Sequence, residues 1–99
     1  MSSTSPTTTT TSTAPANHHC RVCGLFHATP PWGPDGHAPT YEICDCCGVE
    51  FGYEDHSPAS TRSYRAAWES LGRQWARPSQ KPPDWRWTDQ ARHIPPEFT

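Results

Sequence analysis

The chain has 99 residues, of which 32% are hydrophobic, with twelve prolines, five cysteines and a formal net charge of −2. That length allows one small domain, and so little apolar material makes a marginal core unless a disulfide set or a metal staples it. The slightly acidic balance argues against the strongly basic class to which most nucleic-acid binders belong, and no apolar run approaches the roughly 20 residues that cross a membrane.

Residues 1–17 (MSSTSPTTTTTSTAPAN) carry no charged side chain and no large apolar residue after Met1. Such a segment cannot offset its chain entropy by burial, so it is expected to be a disordered, solubilising tail. It lacks the basic start and apolar stretch of a signal peptide, which points to a cytoplasmic location. The domain is therefore expected over residues 18–99.

The cysteines come next. Cys20-Arg21-Val22-Cys23-Gly24 is a C-x-x-C-G unit, and Cys44-Asp45-Cys46-Cys47-Gly48 contains the same unit when Cys44 and Cys47 are the pair. A tight turn brings two sulfurs three positions apart onto one ion, and glycine after the second cysteine tolerates the positive φ that follows. Twenty residues separate Cys23 from Cys44, at the upper end of the C-x₂-C-x₁₅₋₂₀-C-x₂-C zinc spacing. An odd cysteine count, no secretion signal and C-x-x-C spacing favour a metal in a reducing compartment over disulfides. The expected ligands are Cys20, Cys23, Cys44 and Cys47. Cys46 is left as a free thiol, expected on the outer side of its turn and open to alkylation. His18, His19 or His56 replacing one thiolate is the alternative set; His27 and His37 fall between the two units, where a solvated loop histidine is the commoner case.

Around the second unit, Tyr41 and Ile43, then Val49, Phe51 and Tyr53, alternate with Thr40, Glu42, Glu50, Gly52 and Glu54. A period of two predicts strands, with the C-x-x-C turn as the metal-bound tip of a β-hairpin. The segment Pro30-Pro31-Trp32-Gly33-Pro34-Asp35-Gly36 is a loop. Ser57-Pro58 then signals a helix start, with Ser60 or Thr61 as alternative caps. Tyr64, Trp68 and Leu71 recur at helical spacing, which predicts an amphipathic helix over about 58–71, stopped by Gly72 with Trp75 beyond it. The rest, with Pro78, Pro82, Pro83, Pro95 and Pro96, reads as an extended strap pinned by Trp85 and Trp87, with a short helical turn between Thr88 and His93. The fold class is thus a small metal-stapled α+β domain: a zinc-ribbon or rubredoxin-like pair of knuckles, a β-hairpin, one helix and a Pro/Trp-rich strap. Trp68 and Trp75 are expected in the core, because a core poor in aliphatics fills its volume with rings.

CRVCG, then YEICDCCGVEFGYED, then a helix bearing arginine and tryptophan and a Pro-x-Trp segment, resemble the cysteine-rich CPCC family of small bacterial proteins. The resemblance runs from about Cys20 to Trp85 and is most specific over Tyr41 to Asp55. It implies a rubredoxin-like or zinc-ribbon domain and carries no activity with it. Asp45 stands where the family's C-P-C-C has proline, a change that spares Cys44, Cys47 and Gly48.

The function expected from these residues is a structural zinc domain acting as an interaction or accessory module for a protein partner. A closed Cys₄ site has no free coordination position with which to activate water. Iron in the same sulfurs, as in a rubredoxin-like electron carrier, is the alternative, since S₄ geometry suits either metal; Arg21 and Asp45 inside the knuckles argue for zinc. A nucleic-acid-binding zinc ribbon is a further alternative, resting on Arg62, Arg65, Arg73 and Arg77, which are better read as ordinary solvated or paired charge. A thiol enzyme is disfavoured: neither C-x-x-C pair opens a helix in a βαβ setting, and Asp45 opposes thiolate formation at Cys46.

Overall fold

The computed structural model describes residues 16–99. Apart from its last two positions, the tail expected over residues 1–17 lies outside the described residues.

Two tight reversals organise the fold, and they are built alike. In the first, the Cys20 amide donates to Leu25 O at 2.9 Å, the Gly24 amide to Cys20 O at 2.9 Å and the His27 amide to His18 O at 2.8 Å. In the second, the Cys44 amide donates to Val49 O at 2.9 Å, the Gly48 amide to Cys44 O at 3.0 Å and the Phe51 amide to Glu42 O at 2.9 Å. Every partner is shifted by 24 positions. Gly24 and Gly48 sit at φ of +82° and +80°, a left-handed conformation that is cheap only for glycine.

The expected β-hairpin is absent, and with it the zinc-ribbon or rubredoxin-like architecture. Among the described residues there is no strand; pairing stops at two isolated antiparallel bridges, His19 with Phe26 and Ile43 with Glu50. The alternating run does not share one face: Val49 and Phe51 are buried, whereas Tyr41, Ile43 and Tyr53 are 63%, 55% and 67% exposed. Two local causes end the pairing. Tyr41 adopts a φ of +63° and Gly52 a φ of +102°, neither of which fits an extended strand. Asp55 turns inward, fully buried, and its carboxylate accepts the Gly52 amide at 2.7 Å and the Trp32 indole N–H at 2.9 Å. The chain from Phe51 to Asp55 is thereby held as turn.

Helix α1 spans Pro58–Ser70. Ser57 is its cap, accepting the Ser60 amide on Oγ at 3.1 Å, with Pro58 at the first helical position, where its missing N–H is no loss. Leu71 closes the helix, followed by Gly72 at φ +94°. Thr61 and Trp68 face inward, while Leu71 is 74% exposed. The core gathers all five cysteines with Val22, Val49, Phe51, Trp68 and Trp75, flanked by Leu25, Tyr64, Trp85 and Trp87.

The C-terminal segment is less extended than its prolines suggest. It contains a 3₁₀ turn at Pro78–Gln80, the short helix α2 at Trp87–Ala91 and a second 3₁₀ turn at Pro96–Phe98. Two edge-to-face ring pairs attach it, Trp68 with Trp87 at 5.1 Å and Trp75 with Trp85 at 5.7 Å between centroids. Such contacts each contribute about 0.5–1.5 kcal/mol beyond the area they bury.

Candidate metal centre

The two reversals point their cysteines at one another. Cys20, Cys23, Cys44 and Cys47 are all buried, and their Sγ atoms lie within 4.8 Å of one another, a set that can hold a metal ion. Two contacts run between the reversals, Cys20 to Cys47 and Cys23 to Cys44, each at 3.7 Å. A disulfide would bring the sulfurs to about 2.05 Å, and all five cysteines are free. A tetrahedral site with metal–sulfur bonds of about 2.3 Å has sulfur–sulfur edges of about 3.8 Å. The donor set therefore fits a tetrahedral thiolate centre in two of its edges and needs only a small closure elsewhere.

Protonation tells the same story. Hydrogen bonds from the Cys20, Cys23 and Cys47 thiols, with a further one from His27, hold Cys44 well below the ordinary thiol range against the opposing effect of burial. Burial pushes Cys23 and Cys47 the other way. An enclosed cavity can accept one thiolate from its neighbours' hydrogen bonds; it accommodates four only with a cation among them.

Outside the sulfurs, the turn carbonyls are satisfied from distant parts of the chain. Arg65 donates Nε to Val22 O at 2.6 Å and Nη2 to Arg21 O at 2.9 Å and Phe98 O at 2.6 Å. Gln90 Nε2 donates to Cys23 O at 3.0 Å while its Oε1 accepts the Trp85 indole at 2.8 Å. Around the second reversal, the Arg77 amide reaches Asp45 O at 2.9 Å, the Ala76 amide reaches Cys46 O at 3.0 Å, and the Tyr64 hydroxyl reaches Cys47 O at 3.0 Å. Cys47 is the one member of the four with any exposure, 4%, at the floor of a groove of about 420 Å³ lined by Tyr64, Ala67, Trp68, Leu71 and Gln74.

Several expectations need correction. Cys46 does not lie outside its turn: it is fully buried, with Gln90 Nε2 3.4 Å from its sulfur. Cys46 occupies the place that Val22 holds in the first reversal, and a buried thiol packs there as a small hydrophobe. The 24-residue offset between the two units could have revealed this equivalence in the sequence. Arg21 and Asp45 are not aimed at the sulfurs either. The Arg21 guanidinium lies between the rings of Trp32 and Phe98, 3.9 Å and 4.4 Å from their centroids, and Asp45 pairs with Arg77 at 3.6 Å. The four arginines of the helical half do not act together: Arg65 is spent on carbonyls and Arg73 pairs with Glu69 at 3.0 Å.

The histidines also redistribute. His18 and His19 bind backbone oxygens of His27 and Gly24 through Nδ1, and His56 is exposed, so none of the three joins the sulfurs. His27, expected in a solvated loop, instead stands edge-on against Phe51, 5.0 Å between centroids, with its Nε2 buried. Its position at the shifted equivalent of Phe51 was the signal available in the sequence. Among the described residues no helix is long and apolar enough to cross a membrane. Compared with known proteins, the chain matches no family model, no curated protein and no solved structure.

Proposed function

We propose that the four cysteines hold a structural zinc ion and that the domain serves as a small accessory or interaction module, in a reducing cytoplasmic setting, with a protein partner and no chemistry of its own. The observation that carries this reading is the pair of 3.7 Å sulfur contacts joining two reversals that no strand connects. A core without a sheet depends on whatever fastens those reversals. Zinc suits the task because it imposes no geometric demand beyond the tetrahedron and undergoes no redox change. Four thiolates close its coordination sphere, so no water is activated, and Cys46 is too enclosed to serve as an accessible nucleophile. Membership of the CPCC family, suggested by Cys20 to Trp85, forms part of the proposal. Dispersal of Arg62, Arg65, Arg73 and Arg77 argues against a nucleic-acid role.

Iron and electron transfer form a second reading, favoured by one observation. The sulfurs are packed among Val22, Val49, Phe51, Trp68 and Trp75, with the Arg21 and Asp45 side chains turned elsewhere, which is the apolar surrounding such a centre uses. Native mass spectrometry of the full chain from metal-replete cells separates the readings. One zinc per chain and a colourless solution are expected. A coloured, iron-loaded protein that bleaches on reduction and recovers in air would install the electron carrier, and a chain that folds without any metal would end both.

A further inference from the structure

His27 is the residue that neither the staple nor the core accounts for. Its Nε2 is buried and has no nitrogen or oxygen partner among the described residues, an uncommon state for a polar atom in a folded interior that calls for a reason. The ring is not free to turn away. Phe51 packs against it at 85°, the His27 amide is bonded to His18 O, and His27 O accepts from or donates no further than the His18 ring at 2.8 Å. The neighbour it reaches is Cys44.

The two reversals differ at this point. Cys20, which opens the first, receives the Val22 amide on its sulfur at 3.4 Å. Cys44, which opens the second, receives no backbone amide on its sulfur among the described residues. A metal-bound thiolate keeps negative charge that N–H donors spread, and donors of this kind set ligand basicity and metal affinity. The second reversal lacks its own donor, and an imidazole nitrogen without a partner stands beside the sulfur concerned.

We infer that His27, in the tautomer protonated on Nε2, donates a hydrogen bond to the Cys44 thiolate of the metal-loaded site and so replaces the missing amide. This rests on the metal-site reading above. His27 is then a positioning residue that tunes one ligand. The site acquires an asymmetry: one of its four sulfurs is controlled by a side chain that also lines an open cleft of about 440 Å³, together with Tyr41, Glu42, Ile43, Asp45 and Arg77. Whatever occupies that cleft would touch the ring that governs Cys44.

The test uses the full chain loaded with cobalt(II) or with ¹¹³Cd. In the cadmium form, the imidazole Hε2 of His27 should exchange slowly with solvent and show scalar coupling to the metal through the sulfur. In the cobalt form, His27→Phe keeps the ring and its packing but removes the donor. It should load fully, shift the sulfur-to-cobalt charge-transfer band to lower energy and lower metal affinity roughly 10- to 100-fold, the range found when a hydrogen-bond partner of a ligand is removed. His27→Gln, which restores an N–H, should recover much of that loss. A His27 proton residing on Nδ1, with no coupling to cadmium, overturns the inference without recourse to any variant. So does a His27→Phe protein whose band and affinity equal those of the parent. A parent chain that binds neither cobalt nor cadmium would instead overturn the metal-site reading itself.

Discussion

The two cysteine reversals share an interior and differ outside. Inside, the same three backbone hydrogen bonds and the same left-handed glycine recur 24 residues apart. Outside, each exposes three turn carbonyls that need donors. The first obtains them from side chains 43, 44 and 67 residues away, two bonds from Arg65 and one from Gln90. The second obtains two from the amides of Ala76 and Arg77, directly after α1, and one from the Tyr64 hydroxyl. A short local motif thus dictates how the chain turns around an ion, whereas what the turn leans on is decided by parts of the chain that the motif does not mention.

If the interiors are equivalent, breaking either should be equally ruinous. Cys20→Ser and Cys44→Ser are both expected to abolish the folded state, as is treatment with a strong chelator. Structural zinc contributes an apparent 10–16 kcal/mol or so in small domains, at least as much as the whole net stability of about 5–15 kcal/mol of an ordinary one. Loss of the near-UV tryptophan signal on metal removal checks this. A Cys44→Ser protein that keeps its signal while Cys20→Ser loses it would break the equivalence at its centre.

The exteriors should respond unequally to an identical change. A Cβ on Gly24 would collide with the backbone oxygen of Gln90 and stand 3.1 Å from the Ile94 nitrogen, whereas one on Gly48 would meet only Ala76 Cβ at 3.4 Å and Tyr64 Oη at 3.5 Å. Gly48→Ala should therefore cost about 1–2 kcal/mol, the left-handed penalty alone. Gly24→Ala should cost more than that and loosen α2, read as faster amide exchange over residues 87–94. Equal melting temperatures for the two variants would show that the C-terminal segment does not press on the first reversal.

The smallest effect is expected where one reversal is edited to match the other. Cys46→Val gives the second turn the residue that the first has at Val22. It should change stability by no more than about 1 kcal/mol, since one small buried hydrophobe replaces another, and metal stoichiometry should stay at that of the parent. Loss of metal in Cys46→Val would mean that Cys46 is a ligand and that the C-x-x-C-G register is wrong.

That register was legible because its causes are local: sulfurs three apart and a glycine able to take positive φ. The start of α1 was legible for the same reason, Ser57 and Pro58 being next to the turn they cap. The strands were misread because alternation reports which residues are apolar and not whether the backbone stays extended. Tyr41 and Gly52 leave the extended region, and the buried Asp55 that fastens the latter looked in the sequence like one more surface acid. His27 and Gln90 escaped notice because their partners lie far along the chain, 67 residues in the case of Gln90 and Cys23.

The exposed edge of Cys47 sets how the ion would come and go. Three of the sulfurs have no contact with solvent, so exchange by way of them requires the C-terminal segment or α1 to open. The fourth lies at the foot of a groove that a small chelator can enter while the chain remains folded. Release then follows two parallel routes with different dependences. A bimolecular route through the Cys47 edge scales with the concentration and bulk of the competing ligand, and a unimolecular route scales with the opening equilibrium. The domain can therefore hold its ion tightly at equilibrium and still hand it over quickly to any acceptor slender enough to reach one sulfur.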